Sequence, residues 1–343
     1  MDNKNFNKES LVNIANSLMV AGKGLIAMDE SNPTCNKRFA QFGIPQTAEL
    51  RRQYRDLIVT TPDLGKYISG AILYDETVRQ RTNDGSSFID KMVNAGIIPG
   101  IKADMGTVDL AGFPGEKITE GLDGLRDRLN EYAGLGLRFA KWRAVITIGN
   151  GIPTDTCIAA NMQTLAQYAA FCQEAGMVPI VEPEVLMDGT HSISQCFEVT
   201  ERVLTHLFNK LYKQRIDLEG ILLKPNMVLA GVDSTEKNSV MDVADATVKC
   251  LLRCVPAEVP GIAFLSGGQS TELATEHLNA MHVKYGQRLP WALTFSFSRA
   301  LQLPALEIWK GKDENRLAAQ QALLYRAKCN SAARMGEYKE GLA

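Results

Sequence analysis

Apolar and β-branched runs of six to ten residues recur along the chain, each followed by a polar break and then by a longer amphipathic stretch. The runs are 24–29, 69–75, 97–104, 139–148, 178–185, 220–228, 261–268 and 292–298, eight in all. Short runs bounded by polar and turn residues predict strands, and apolar positions at helical spacing predict helices over 119–133, 156–175, 192–212, 240–254 and 270–282. A further helix is predicted over 314–335, after the last run. Eight strand and helix alternations, with no proline- or glycine-rich linker between them, predict one domain over 1–343: an α/β fold closed into a (β/α)₈ TIM barrel. The opening segment 8–21 reads as a helix packed outside the barrel or across its bottom.

The polar residues fall on this frame in a consistent way. Asp29 and Ser31, Lys102 and Asp104, Lys141 and Arg143, Glu182 and Glu184, Lys224, Ser266, Ser296 and Arg299 all stand at the carboxyl ends of the runs. Barrel enzymes keep their chemistry at that face. Members of a pair two residues apart share one side of a strand and can enter the same site. A salt bridge at the barrel rim accounts for any single pair. The same arrangement on seven strands points to a site.

Lys224 sits inside the apolar run Gly220–Val228, and lysine is rarely buried without a partner. Desolvation favours the neutral, nucleophilic amine over the ammonium. Pro225 cannot donate to a sheet ladder, which sets the lysine near the end of its strand, and period-two alternation predicts that Leu222, Lys224 and Asn226 face the same way. Taken alone, the run fits an ordinary ion-paired lysine equally well.

Composition narrows the class. The 343 residues carry a net charge of −2, so the chain as a whole has no pull towards nucleic acid or a membrane surface. Yet the strand ends gather Lys102, Lys141, Arg143, Lys224 and Arg299, a local cationic cavity suited to a small anion such as phosphate. The segment Ser266–Ser270, SGGQS, adds a glycine pair ahead of a helix, where backbone N–H groups can hold a phosphate. The 7 cysteines show no Cys-x-x-Cys pair and read as reduced packing residues. The polar opening MDNKNFNKES has no apolar signal core, and no stretch is long and apolar enough to span a membrane, so the expected location is cytoplasmic.

The motifs GLIAMDES, GIKAD, FAKWR, VPIVEPE, LLKPNMV, FLSGGQS and WALTFSFSRALQ, in this order, resemble the class I, Schiff-base-forming fructose-1,6-bisphosphate aldolases. The likeness runs from about residue 23 to about residue 338. It implies a TIM barrel that cleaves fructose 1,6-bisphosphate reversibly in glycolysis, gluconeogenesis or the Calvin cycle, and a homotetramer acting on phosphorylated sugars without cofactor or metal. By resemblance, Lys224 is the Schiff-base lysine, and Glu182 is the acid and base of carbinolamine formation and dehydration, with Glu184 beside it. Asp29 contacts the hydroxyl whose proton leaves as the carbon–carbon bond breaks, supported by Lys141. Ser266, Gly267, Arg299 and Arg38 correspond to the ketose-side phosphate pocket, and Ser296 and Ser298 on the eighth strand are further candidates for substrate binding. Ser31, Thr34 and Lys102 correspond to the aldehyde-side pocket, and Arg143 to a basic position of open role.

The chain departs from the family pattern in two places. Phe297 and Ser298 stand where a Tyr-Gly pair is usual, which puts a side chain where glycine would let a backbone N–H approach phosphate. The chain ends EGLA with Tyr338 its last tyrosine, as expected of a bacterial type without the tyrosine-ended tail. Two rival readings remain at this stage. Glu182-Pro183-Glu184 suits a divalent metal in a metal-dependent barrel, although His191, His206, His277 and His282 show no paired ligand spacing for zinc. A non-catalytic sugar-phosphate-binding barrel has the same fold.

Overall fold

The structure, a computed structural model, describes residues 2–339 and Gly341. Its strands in chain order are β1 (Gly24–Ala27), β2 (Ile68–Leu73), β3 (Ile98–Lys102), β4 (Thr107–Asp109), β5 (Lys117–Thr119), β6 (Phe139–Ile146), β7 (Val178–Val185), β8 (Leu222–Leu223), β9 (Gly261–Phe264) and β10 (Ala292–Phe297). Eight of them close into a barrel in the order β1-β10-β9-β8-β7-β6-β3-β2, every pairing parallel. Each of the eight predicted runs supplies one barrel strand. The remaining pair, β4 and β5, forms a separate antiparallel ribbon.

That ribbon corrects one expectation. Residues 119–133 read as a helix, but Lys117–Thr119 is a strand and the helix occupies Leu125–Gly134. The β4 residues are exposed and three long, so they give no apolar run to read. The other predicted helices form with small shifts, as Asp155–Glu174, Ile193–Lys213, Val240–Cys254, Thr271–Tyr285 and Arg316–Met335. Hydroxyl caps explain several starts: the Ser192 and Ser239 side chains each close a capping box, and Thr154 and Ser270 each accept an amide of their own first turn. Helix Arg299–Trp309, which follows β10 directly and contains Pro304, lies between the stretches singled out from the sequence.

The barrel interior is built in layers. Leu25, Ala27, Ile72, Phe139, Ile180, Leu222 and Ala263 point inward and form a cluster separate from the larger core between strands and helices. The helix Asp2–Leu18 closes this cluster from below with Leu11, Ala15 and Leu18, so the opening segment plugs the barrel bottom and begins earlier than predicted. Glycine makes room for the largest interior ring: a Cβ on Gly100 would sit 2.3 Å from Phe139. The intervening strand residues face outward. Trp142, for instance, is fully buried against Tyr168 of helix Asp155–Glu174, with ring centroids 5.4 Å apart.

Candidate active site

Two residues beyond the apolar interior layer, the same inward face carries charge. Ala27 is followed by Asp29, Phe139 by Lys141, Ile180 by Glu182 and Leu222 by Lys224, so four neighbouring interior positions become ionisable together. Strand register sets their level: Lys102 pairs with Lys141, Arg143 with Glu182, and the Lys224 amide donates to the Val181 carbonyl at 2.9 Å.

The four side chains form a chain of alternating charge. Lys141 Nζ lies 2.7 Å from Asp29 and 3.0 Å from Glu182 Oε2, and Lys224 Nζ lies 3.1 Å from Glu182 Oε1. All four are buried. Burial opposes ionisation of Asp29, but the charges of Lys141, Lys224 and Lys102 outweigh it and hold the carboxyl well below its ordinary range. Glu182 is likewise lowered against the pull of burial, by Lys141, Lys224 and Arg143. Burial disfavours the Lys141 ammonium, yet Asp29 and Glu182 hold it far above an ordinary lysine, so Lys141 is a fixed cation. The Glu182 carboxylate therefore stands between the two lysines, one oxygen towards each.

Asn226 departs from the predicted alternation. Regular pairing stops at Leu223, and beyond Pro225 the Asn226 amide turns outward to accept from the Val185 N–H at 3.0 Å and donate to Thr200 at 3.2 Å. Only Leu222 and Lys224 share the inner face.

All fifteen candidate residues line one cleft of about 910 Å³ at the carboxyl ends of the strands. Around the central four, Glu184 pairs with Arg143 across β6 and β7, and Lys102 pairs with the buried Asp104. Asp104 also accepts the backbone N–H groups of Gly106 and Arg143, fixing the loop that leads into β4. Glu182 and Glu184 are thus each held by cations, and among the described residues no group of three or more histidine, cysteine or acidic side chains is arranged to hold an ion. Ser31 and Thr34 share a hydrogen bond of 3.1 Å at the cleft mouth. The wall at the carboxyl ends of β9 and β10 carries Ser266, Gly267, Ser296 and Arg299; Ser296 is buried with its hydroxyl unpartnered, and a Cβ on Gly267 would come within 3.0 Å of Glu184.

Three polar residues outside the candidate set bear on this wall. Glu30 is buried beside Arg55, which donates to its Oε2 at 2.6 Å, while Arg38 and Ser298 both donate to Oε1. Gln302 donates to the same oxygen at 3.4 Å. Glu30 had one visible signal, its place between Asp29 and Ser31 at the end of a strand. Tyr338 packs elsewhere, its backbone N–H donating to Asn279, and does not line the cleft.

Fold and cleft together define a barrel protein that gathers two buried amines, their carboxylate partners and a set of further cations at the top of its strands. The family model described as fructose-bisphosphate aldolase class-I matches residues 10–343. A probable fructose-bisphosphate aldolase class 1 of Xanthomonas axonopodis is 55% identical over 332 residues, 96% of this chain and 99% of that protein. The cytosolic fructose-bisphosphate aldolase 4 of Arabidopsis thaliana is 52% identical, covering 95% of this chain and 83% of the relative. Among solved structures, the fructose-bisphosphate aldolase of Plasmodium falciparum, in complex with TRAP and a small-molecule inhibitor, superposes with a TM-score of 0.96 at 48% identity, over 98% of this chain and 97% of that one. The chain belongs to the class I fructose-bisphosphate aldolase family.

Proposed function

We propose that this protein cleaves fructose 1,6-bisphosphate reversibly to dihydroxyacetone phosphate and glyceraldehyde 3-phosphate through an imine on Lys224. The observation that carries this reading is the buried chain Asp29–Lys141–Glu182–Lys224, with separate cationic groups on either side of it.

Each group has a task that its surroundings suit. Lys224 must lose a proton before it can attack the ketose carbonyl, and the Glu182 oxygen 3.1 Å away is in reach to take it. Attack gives a carbinolamine; Glu182 returns a proton to its hydroxyl, water leaves, and a protonated imine remains. Asp29, kept ionised by Lys141, accepts the proton of the substrate's C4 hydroxyl. The C3–C4 bond then breaks, its electron pair moves into the iminium to give an enamine, and the aldehyde departs. Reprotonation of the enamine carbon and hydrolysis release the ketose phosphate and regenerate the amine. The protonated imine is the electron sink, so this route calls for neither metal nor cofactor.

Positioning comes from the flanks. Ser266, Gly267, Ser296, Ser298, Arg299 and Arg38 receive the ketose-side phosphate. Ser31, Thr34 and Lys102 receive the aldehyde-side phosphate, and Arg143 keeps Glu184 oriented next to Glu182. Holding both ends converts binding energy into alignment of the bond that breaks. We assign the protein to the cytoplasm and to a homotetramer, as is usual in its family; no helix among the described residues is long and apolar enough to cross a membrane. Light scattering of the purified protein tests the tetramer. Turnover of fructose 1,6-bisphosphate in the presence and absence of EDTA tests the reaction: an equal rate supports the imine route, and loss of activity in EDTA contradicts it.

A further inference from the structure

Ser298 occupies the N-cap of helix Arg299–Trp309, yet its side chain makes no capping bond to that helix. Its hydroxyl instead donates to Glu30 Oε1 at 2.7 Å and accepts from the Arg38 guanidinium at 3.0 Å, with Gln302 Nε2 a further 3.3 Å away. Arg38 reaches the same Glu30 oxygen directly. Glu30 and Arg55 are both nearly free of solvent, at 8% and 3% exposure, whereas the Arg38 side chain retains 19% and borders the cleft.

The charges order this cluster. Arg55 neutralises Glu30 from the buried side through Oε2, which leaves Arg38 as its surplus cation facing the cleft. Burial of Glu30 opposes its ionisation, but Arg55, Arg38 and the Ser298 hydroxyl together lower it, so the anchor stays charged. A long arginine side chain held at one acceptor can still rotate. Two acceptors on different elements, Glu30 after β1 and Ser298 after β10, fix its plane.

We propose that Ser298 is a positioning residue for the ketose-side phosphate. Its hydroxyl couples Arg38 to the buried Glu30–Arg55 pair and so presents the guanidinium, already oriented, on the wall that also carries Arg299. The inference rests on the assignment of that wall to a phosphate. It also accounts for a serine at a position where glycine is usual in the family: the side chain is turned away from the helix amides and used as a bracket for a cation.

Inorganic phosphate is the probe, measured as a competitive inhibitor of cleavage by the full-length protein. Ser298→Ala and Ser298→Gly both delete the hydroxyl, and each should weaken phosphate inhibition by about 3- to 10-fold, the loss of one ordinary hydrogen bond. The Michaelis constant for the bisphosphate should rise in parallel and by more than kcat falls. Ser298→Thr keeps the hydroxyl and should return phosphate inhibition to near the wild-type value. Arg299→Ala is the reference for the pocket itself. Unchanged phosphate inhibition in both Ser298→Ala and Ser298→Gly, with strong weakening in Arg299→Ala, overturns the role of Ser298 alone. Unchanged inhibition in Arg299→Ala as well overturns the phosphate assignment of the wall. A hydroxyl that served only to stabilise the fold would lower the melting temperature of the Ala and Gly variants and leave the phosphate constant where it was, which also overturns the proposal.

Discussion

Glu182 offers one carboxylate oxygen to each of two lysines, with Lys224 Nζ 3.1 Å from Oε1 and Lys141 Nζ 3.0 Å from Oε2. The two amines are not equivalent. Lys141 has a second carboxylate, Asp29, at 2.7 Å and is held as a cation, whereas among the ion pairs of the described residues Lys224 has Glu182 alone. This asymmetry leaves Lys224 the less paired of the two amines and makes Glu182 the carboxylate within reach of it.

Replacement of that group should therefore be costly in rate with little change in shape. Glu182→Gln keeps the volume of the side chain but cannot take a proton from Lys224. General acid–base catalysis contributes roughly 10²- to 10⁴-fold, so kcat should fall within that range. Steady-state cleavage and the rate of borohydride inactivation should fall together, because imine formation is the step affected. Loss of cleavage with unchanged trapping would assign Glu182 to a later step.

Acid stability reports the pairing of Asp29. Its folded-state value lies below the unfolded value of 3.8, so its contribution is fully present above that value and is lost as pH falls towards the folded one. Lys141 has the opposite sign. Its contribution is complete below 10.5 and is lost only as pH rises through its elevated folded value. The stability difference between the wild type and Asp29→Asn, from urea unfolding, should be constant from about pH 5 to 8 and shrink below pH 4. A difference that grows on acidification would contradict the ion pair.

Lys102 should discriminate between substrates that carry one phosphate and two. If it receives the aldehyde-side phosphate, Lys102→Ala should reduce kcat/KM for fructose 1,6-bisphosphate by about 10- to 100-fold, the value of one charge-assisted hydrogen bond. Fructose 1-phosphate lacks that group and should be cleaved within about 3-fold of the wild-type rate, since no charge-assisted bond is lost. Equal damage to both substrates would show that Lys102 acts through its Asp104 pair on the scaffold.

The pairing of Glu30 with Arg55 also bears on stability. Glu30→Ala leaves the buried Arg55 guanidinium without its carboxylate, and removing one partner of a buried ion pair costs about 3–5 kcal/mol. Thermal or urea unfolding should show a loss of that size, and a loss under about 1 kcal/mol, typical of exposed pairs, would contradict the burial of the pair.

Much of the barrel and the centre of the cleft are legible in the sequence for one reason. Parallel strands covered on both faces read as continuous apolar runs, so a charged residue such as Lys141, Glu182 or Lys224 stands out within its run. The supporting residues carry no such contrast. Arg55 lies within an ordinary-looking amphipathic helix, Ala48–Val59, and Gln302 is 272 positions from Glu30, so only the closed barrel brings them together. Asn226 was misplaced because alternation was extended past the proline that ends it. The β4–β5 ribbon carries no readable pattern because three-residue strands hold too few side chains to show a period.

The covalent role of Lys224 is the central claim, and reductive trapping tests it most directly. Borohydride added with dihydroxyacetone phosphate should inactivate the enzyme irreversibly and leave one mass adduct, on the peptide that contains Lys224. Lys224→Arg remains cationic and cannot act as the amine nucleophile, so it should show neither adduct nor cleavage. An adduct on Lys141 or another lysine, or full turnover of the native enzyme with no adduct at all, would contradict the account.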